Sequence, residues 1–143
     1  MNATLLLGGY TGEAGAGVGI EAVVQAGDSG LEGLGTAAVV DSPSYLARHP
    51  RLPVVYAVSE VAGEVRAFGV RGRGDGDHGL HAVTLSPLGG PWPAGGLLCH
   101  VAVDPDGRWL VTSSYGDGIV CLFTLDEHGA ISARFEADAA KRA

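Results

Sequence analysis

Five side chains could serve a bound small molecule: Glu60 and His100, whose types suit acid-base chemistry, and Tyr10, Ser44 and Tyr115, which could contact the molecule beside them. A neutral imidazole or a carboxylate can take a proton from attacking water, which hydrolysis requires. Hydroxyls can both donate and accept hydrogen bonds to a polar ligand. Three of these positions also have a plainer reading. A strand-end imidazole bonded to a neighbouring element suits His100, a solvated turn carboxylate suits Glu60, and packing with hydrogen bonding suits Tyr115.

Other candidate chemistries find little support. No Gly-x-Ser-x-Gly elbow for a serine nucleophile is present. Gly15-Ala16-Gly17-Val18-Gly19 lacks the spacing and following helix of a phosphate loop. Asp75-Gly76-Asp77-His78 has no downstream glutamate at calcium-loop spacing, so both stretches read as loops. Cys99 and Cys121 show no metal-ligand spacing. Neither a metal nor another cofactor is expected. His49 and His81 fall in strands or turns, with no partner evident in the sequence.

The elements that must position the five residues announce themselves as a repeat. Ser44-Tyr45-Leu46-Ala47-Arg48-His49-Pro50 through Phe68 aligns without a gap to Cys99-His100-Val101-Ala102-Val103-Asp104-Pro105 through Phe123, an offset of 55 residues. Such a period marks units that stack because none can bury its apolar face alone. Each unit predicts a strand ending at a proline turn (45–49, 100–103), a second strand (54–58, 109–112), a Gly-rich corner and a third strand (65–70, 119–125). Turns ending at Gly30-Leu31, Gly79-Leu80 and Gly129-Ala130 lead to fourth strands at 34–40, 81–85 and 131–135. At the N-terminus, Leu5-Leu6-Leu7-Gly8-Gly9-Tyr10 aligns with Leu110 to Tyr115, so that unit enters at its second strand. Eleven strands result. Four-stranded antiparallel units at roughly 40–50 residues are the signature of β-propeller blades.

The expected fold is therefore all-β, with an incomplete blade at 1–41, complete blades at 42–90 and 91–136, and a tail at 137–143. That is about two and three-quarter blades of a larger ring, and the chain reads as the N-terminal part of a longer propeller. Pairing the first and second strands brings Ser42-Pro43-Ser44-Tyr45 beside Ser59-Glu60, and Cys99-His100 beside Ser114-Tyr115-Gly116. Glu60, His100 and Tyr115, with Tyr10-Thr11, then share one channel mouth.

Composition agrees and narrows the partners. With 24 Gly, 7 Pro, 46% hydrophobic and 17% charged residues, short strands and tight turns are favoured. A formal charge of −7 without a basic stripe disfavours nucleic acid and anionic membranes. The first residues lack a signal peptide's basic region, and two cysteines suit a reducing compartment, so a cytoplasmic location is expected.

Gly9-Tyr10-Thr11, Ser42-Pro43-Ser44-Tyr45-Leu46, Val55-Tyr56-Ala57-Val58-Ser59-Glu60 and Cys99 to Arg108 together resemble the lactonase family of seven-bladed β-propellers, from about Leu5 to Ile131. That family includes bacterial 6-phosphogluconolactonases and carboxymuconate lactonizing enzymes. It usually shows Asn-Pro-Ser, Pro-Cys-His and Asn-Tyr, where this chain has Ser42-Pro43-Ser44, Leu98-Cys99-His100 and Ser114-Tyr115. The resemblance implies hydrolysis of a sugar lactone in carbohydrate metabolism, within the pentose phosphate pathway, with Tyr10, Ser44, Glu60, His100 and Tyr115 contacting substrate. It also implies that the catalytic His, Arg and Glu belong to later blades, so the chain alone is expected to be inactive. A phosphorylated substrate needs Arg or Lys at the mouth, and neither Arg48 nor Arg108 can be assigned to it. The alternative is a non-catalytic propeller module that binds a ligand, or associates with a protein through its open blade edges.

Overall fold

The computed structural model describes residues 3–28, 30–74 and 81–138. Strands β1 (Thr4–Leu7), β2 (Ile20–Ala26) and β3 (Gly30–Ala38) form a three-stranded antiparallel sheet in that order. By the alignment of Leu5–Tyr10 with Leu110–Tyr115, β1 corresponds to the second strand of the other units. A second sheet runs β4 (Leu46–Arg48), β5 (Val54–Ser59), β6 (Glu64–Gly74), β7 (His81–Pro87), and a third is made from β9 (Leu98–Val103), β10 (Trp109–Ser114), β11 (Ile119–Leu125) and β12 (Ile131–Asp138). The fold is that of propeller blades, as the repeat predicts.

Several details depart from the sequence reading: β3 begins at Gly30, where a turn is expected, β6 runs on to Gly74 and β9 begins at Leu98. A twelfth strand, β8 (Trp92–Pro93), pairs with the start of β6. Strand β7 pairs only with Phe68–Gly74, so Glu64 and Val65 are left free to accept it. Strand β12 continues through Asp138, past the expected end at Phe135, because Ile119 and Val120 of β11 still need partners. The expected turn at Gly79-Leu80 and the loop Asp75-Gly76-Asp77-His78 lie outside the described residues.

Strand β5 explains how the sheets stack. All six of its residues are buried, which is why Val54-Val55-Tyr56-Ala57-Val58-Ser59 reads as one apolar run instead of an alternating strand. Because side chains alternate between faces, Val54, Tyr56 and Val58 join Val65 and Ala67 against Leu98, Val101, Leu110, Cys121 and Phe123 of the third sheet. Ala57 and Phe68 face the other way, onto Ile20, Ala22 and Ala37 of the first. The second sheet is thus the middle layer of two apolar interfaces.

One end of this stack is fixed by turns. Asp104 accepts the backbone N–H groups of Arg108 at 2.7 Å and Trp109 at 2.8 Å, and Asp126 accepts those of His128 at 2.8 Å and Ala130 at 2.9 Å. Aspartate suits these places because its short carboxylate can reach backbone two to five residues on. At the same end Tyr56 donates its hydroxyl to the Gly129 carbonyl at 2.6 Å. His49 is buried there. Its Nδ1 accepts Arg51 N–H at 3.1 Å and Leu52 N–H at 3.0 Å, which leaves Nε2 to donate to the Gly107 carbonyl at 3.2 Å. The histidine without an evident partner in the sequence is a structural link between sheets.

Adjacent residues on β11 test the stacking. Phe123 is fully buried, whereas Leu122 is 38% exposed on the opposite face of the third sheet. Phe123→Ala is expected to cost about 3–5 kcal/mol and Leu122→Ala well under half of that, as read from urea unfolding midpoints at constant slope.

Candidate functional site

The other end of the stack is organised by Glu60. Strand β5 stops at Ser59, and a turn through Gly63 (φ +70°) reverses the chain, with Gly63 N–H donating to the Ser59 carbonyl at 2.9 Å. A side chain on Gly63 would sit 2.6 Å from the Gly95 carbonyl of the approach to β9, so only glycine allows the sheets to come this close. Glu60 N–H donates to the Ser42 carbonyl at 3.1 Å, and the Glu60 carbonyl accepts Leu98 N–H at 3.2 Å. The residue is held by backbone on two sides before its side chain is considered.

That side chain is only 4% exposed, which excludes the solvated turn carboxylate. Tyr10 donates its hydroxyl to Glu60 Oε2 at 3.1 Å, Ser44 donates to the same oxygen, and Tyr115 donates to Oε1 at 3.0 Å. Tyr10 follows β1, Ser44 precedes β4 and Tyr115 follows β10, so the donors come from all three sheets. A buried carboxylate is tolerable when hydrogen bonds replace its lost water. The tyrosines feel the charge in return: both are pushed above an ordinary tyrosine, first by the hydrogen bond to Glu60, with its negative charge adding to the shift.

Tyr10 is positioned by the Gly-rich loop. The chain turns through a short 3-10 segment, Gly12–Ala14, and Gly17 N–H returns to the Tyr10 carbonyl at 3.0 Å. A Cβ at Gly15 or Gly17 would lie 2.7 or 2.8 Å from that carbonyl oxygen. Thr11 and Ser42 then lock the first sheet to the second: Thr11 N–H donates to Ser42 Oγ at 3.2 Å, and Ser42 N–H to Thr11 Oγ1 at 3.0 Å. Ser42 has φ +44°, a left-handed conformation that asparagine tolerates well. The asparagine of the Asn-Pro-Ser pattern suits that backbone; here serine occupies it, with its hydroxyl engaged by Thr11.

His100 shares this end but not the hydrogen-bonded cluster. It lies opposite Ser113 in β9, and its ring packs on Tyr45 with centroids 4.6 Å apart and planes at 53°. Among the described residues its ring makes no hydrogen bond, which corrects the reading of a bonded strand-end imidazole. Of the five expected residues, the structure therefore joins Tyr10, Ser44, Glu60 and Tyr115 directly and places His100 beside them through Tyr45. Thr11, Ser42 and Tyr45, which the strand pairing already brings to this mouth, contribute to it as well. The Gly15–Gly17 loop is the contributor that reads only as a loop in the sequence.

Tyr10, Tyr45 and Tyr115 remain 46%, 43% and 61% exposed around the buried Glu60. No group of three or more potential metal ligands occurs among the described residues. A separate cleft of about 390 Å³ between β1 and β4–β5 is lined mainly by apolar side chains such as Leu5, Leu6, Leu46 and Val55 and contains no member of the Glu60 cluster. No described helix is long and apolar enough to cross a membrane.

Stacked antiparallel blades sharing a polar cluster at one end define a β-propeller portion. The family described as lactonase, 7-bladed β-propeller, matches residues 4–140, and the chain belongs to that family. Solved structures agree on the fold. A candidate 6-phosphogluconolactonase of Bacteroides fragilis is 23% identical with a TM-score of 0.73, over 96% of this chain and 36% of its own. One from Bacteroides uniformis is 26% identical with a TM-score of 0.71, over 94% and 37%. The periplasmic gluconolactonase of Pseudomonas aeruginosa is 21% identical with a TM-score of 0.72, over 94% and 38%. The chain therefore spans little more than a third of their length. Among curated proteins, none matches it.

Replacing Glu60 by glutamine removes the charge while keeping the shape. Tyrosines whose folded values lie above the unfolded value near 10 contribute stability that is complete below that pH and is lost as pH rises through the raised values. In Glu60→Gln, ultraviolet difference titration is expected to show Tyr10 and Tyr115 ionising at lower pH than in the parent chain, closer to an ordinary tyrosine.

Proposed function

We propose that this chain is part of a sugar-lactone hydrolase and that its Glu60 end binds the lactone, with Tyr10, Ser44, His100 and Tyr115 as contacts. The observation that carries this reading is the convergence of three hydroxyls from three sheets on one buried carboxylate. Family membership supplies the reaction class: water adds to the lactone carbonyl, a base takes its proton, and donors hold the developing oxyanion. Both oxygens of Glu60 already accept hydroxyl protons, so Glu60 is suited to positioning those hydroxyls. The base and the oxyanion donors are assigned, on the family resemblance, to blades outside this chain. The reaction is placed in carbohydrate metabolism, within the pentose phosphate pathway, and in the cytoplasm, which two free cysteines suit.

A second reading draws on a different observation. Trp109, Val111, Leu122 and Phe135 are 37–55% exposed on the third sheet, and an apolar sheet face of this kind suits a protein partner. A module of this type would form a discrete oligomer or complex by light scattering and bind no lactone.

The pure 143-residue protein is expected to hydrolyse 6-phosphogluconolactone no faster than buffer. Soluble sugar-lactone analogues are nevertheless expected to shift the amide resonances of Tyr10, Ser44, Glu60, His100 and Tyr115. Turnover above the spontaneous rate would refute the division of labour between blades. Shifts confined to the β10–β12 face, or none at all, would refute the binding site.

A further inference from the structure

The hydrogen-bond polarity at Glu60 carries more than a location. Tyr10, Ser44 and Tyr115 each own one hydroxyl proton, and each gives it to the carboxylate. A hydroxyl that has donated keeps only lone pairs for a further partner. The three oxygens bordering Glu60 can therefore accept hydrogen bonds from a ligand but cannot donate to one. The carboxylate behind them adds negative charge, and no ion pair to Glu60 occurs among the described residues.

Around these acceptors stand the exposed rings of Tyr10, Tyr45 and Tyr115. Side chains with an apolar body and a polar tip suit ligands that are apolar on one face and hydroxylated at the edge. An anion meets the opposite conditions here: acceptor facing acceptor, with like charge close by, which is the arrangement that excludes partners.

We propose that the Glu60 cluster is an acceptor-only subsite that selects the neutral, hydroxyl-bearing ring of its ligand and rejects a phosphate group. This rests on the reading of the Glu60 end as the lactone site and adds its specificity. A phosphorylated lactone can use the subsite only with its phosphate directed away from Tyr10 and Tyr115. Glu60 acts as a positioning residue: it aims three hydroxyls by accepting their hydrogen bonds.

Unreactive ring analogues test this without turnover. Binding of 1,5-anhydroglucitol and of its 6-phosphate to the full chain is followed by two-dimensional NMR, reading Tyr10, Ser44 and Tyr115. The neutral ring is expected to bind these residues at least about tenfold more tightly than the phosphate ester. In Glu60→Gln, whose amide donates as well as accepts, that preference should collapse toward unity. Tyr115→Phe removes one acceptor and leaves Glu60 Oε1 without its donor, so the site stays acceptor-only: the neutral ring should bind severalfold more weakly while still being preferred over the ester. Equal or tighter binding of the ester at these residues would overturn the acceptor-only subsite and leave the lactone site standing. Absence of shifts at these residues with both compounds would overturn the subsite and the lactone-site reading together.

Discussion

A carboxylate buried to 4% exposure cannot remain charged unless donors replace its water, and Glu60 finds all three of its side-chain donors at the sheet ends around it. Hydrogen bonds to a charged group contribute about 1.5–3 kcal/mol each, comparable in total to the several kcal/mol that burying the charge costs. The arrangement is sustainable only while the three sheets keep their spacing. The rest of this end follows from that requirement. Gly63 lets the β5–β6 turn approach Gly95, the Gly15–Gly17 loop holds the Tyr10 backbone, and Thr11 and Ser42 fix the first sheet against the second.

The two ends of the stack differ in kind. Near His49, Tyr56, Asp104 and Asp126, contacts run from side chain to backbone, within turns for the two aspartates and between sheets for His49 and Tyr56. That end holds the blades in register. Near Glu60, side chain meets side chain, rings are exposed and oxygen lone pairs remain open. The apolar layers on either face of β5 carry most of the burial between them, so the polar chemistry is confined to the rims.

Much of this was legible in the sequence, for a geometric reason. Blades related by a repeat place equivalent residues at equal height around one axis, so positions that align are also neighbours. Tyr10, Glu60 and Tyr115 are equivalent under the alignment and meet in space, as do Tyr45 and His100. Alternation and turn residues located the strands to within a few positions. What the pattern could not show was the direction of each hydrogen bond or the fate of a particular ring. A strand-end histidine reads the same whether it bonds or stacks, and a turn glutamate reads as solvated unless the reach of neighbouring sheets is known. Strand β8 escaped because two residues, Trp92 and Pro93, carry no periodicity. The Gly-rich loop read only as a loop because the close approach that demands its glycines is made to the Tyr10 backbone, a contact no spacing rule encodes.

The central claim is that one carboxylate ties three sheets together at a single end. Amide hydrogen exchange in Glu60→Gln against the parent chain tests it most directly, since exchange reports local opening residue by residue. Protection is expected to fall at Gly17, Ser42, Leu98 and Tyr115, which border Glu60 in different sheets, and to stay unchanged at His49, Gly107 and Gly129 at the opposite end. Uniform loss at both ends, or no change at either, would contradict the account.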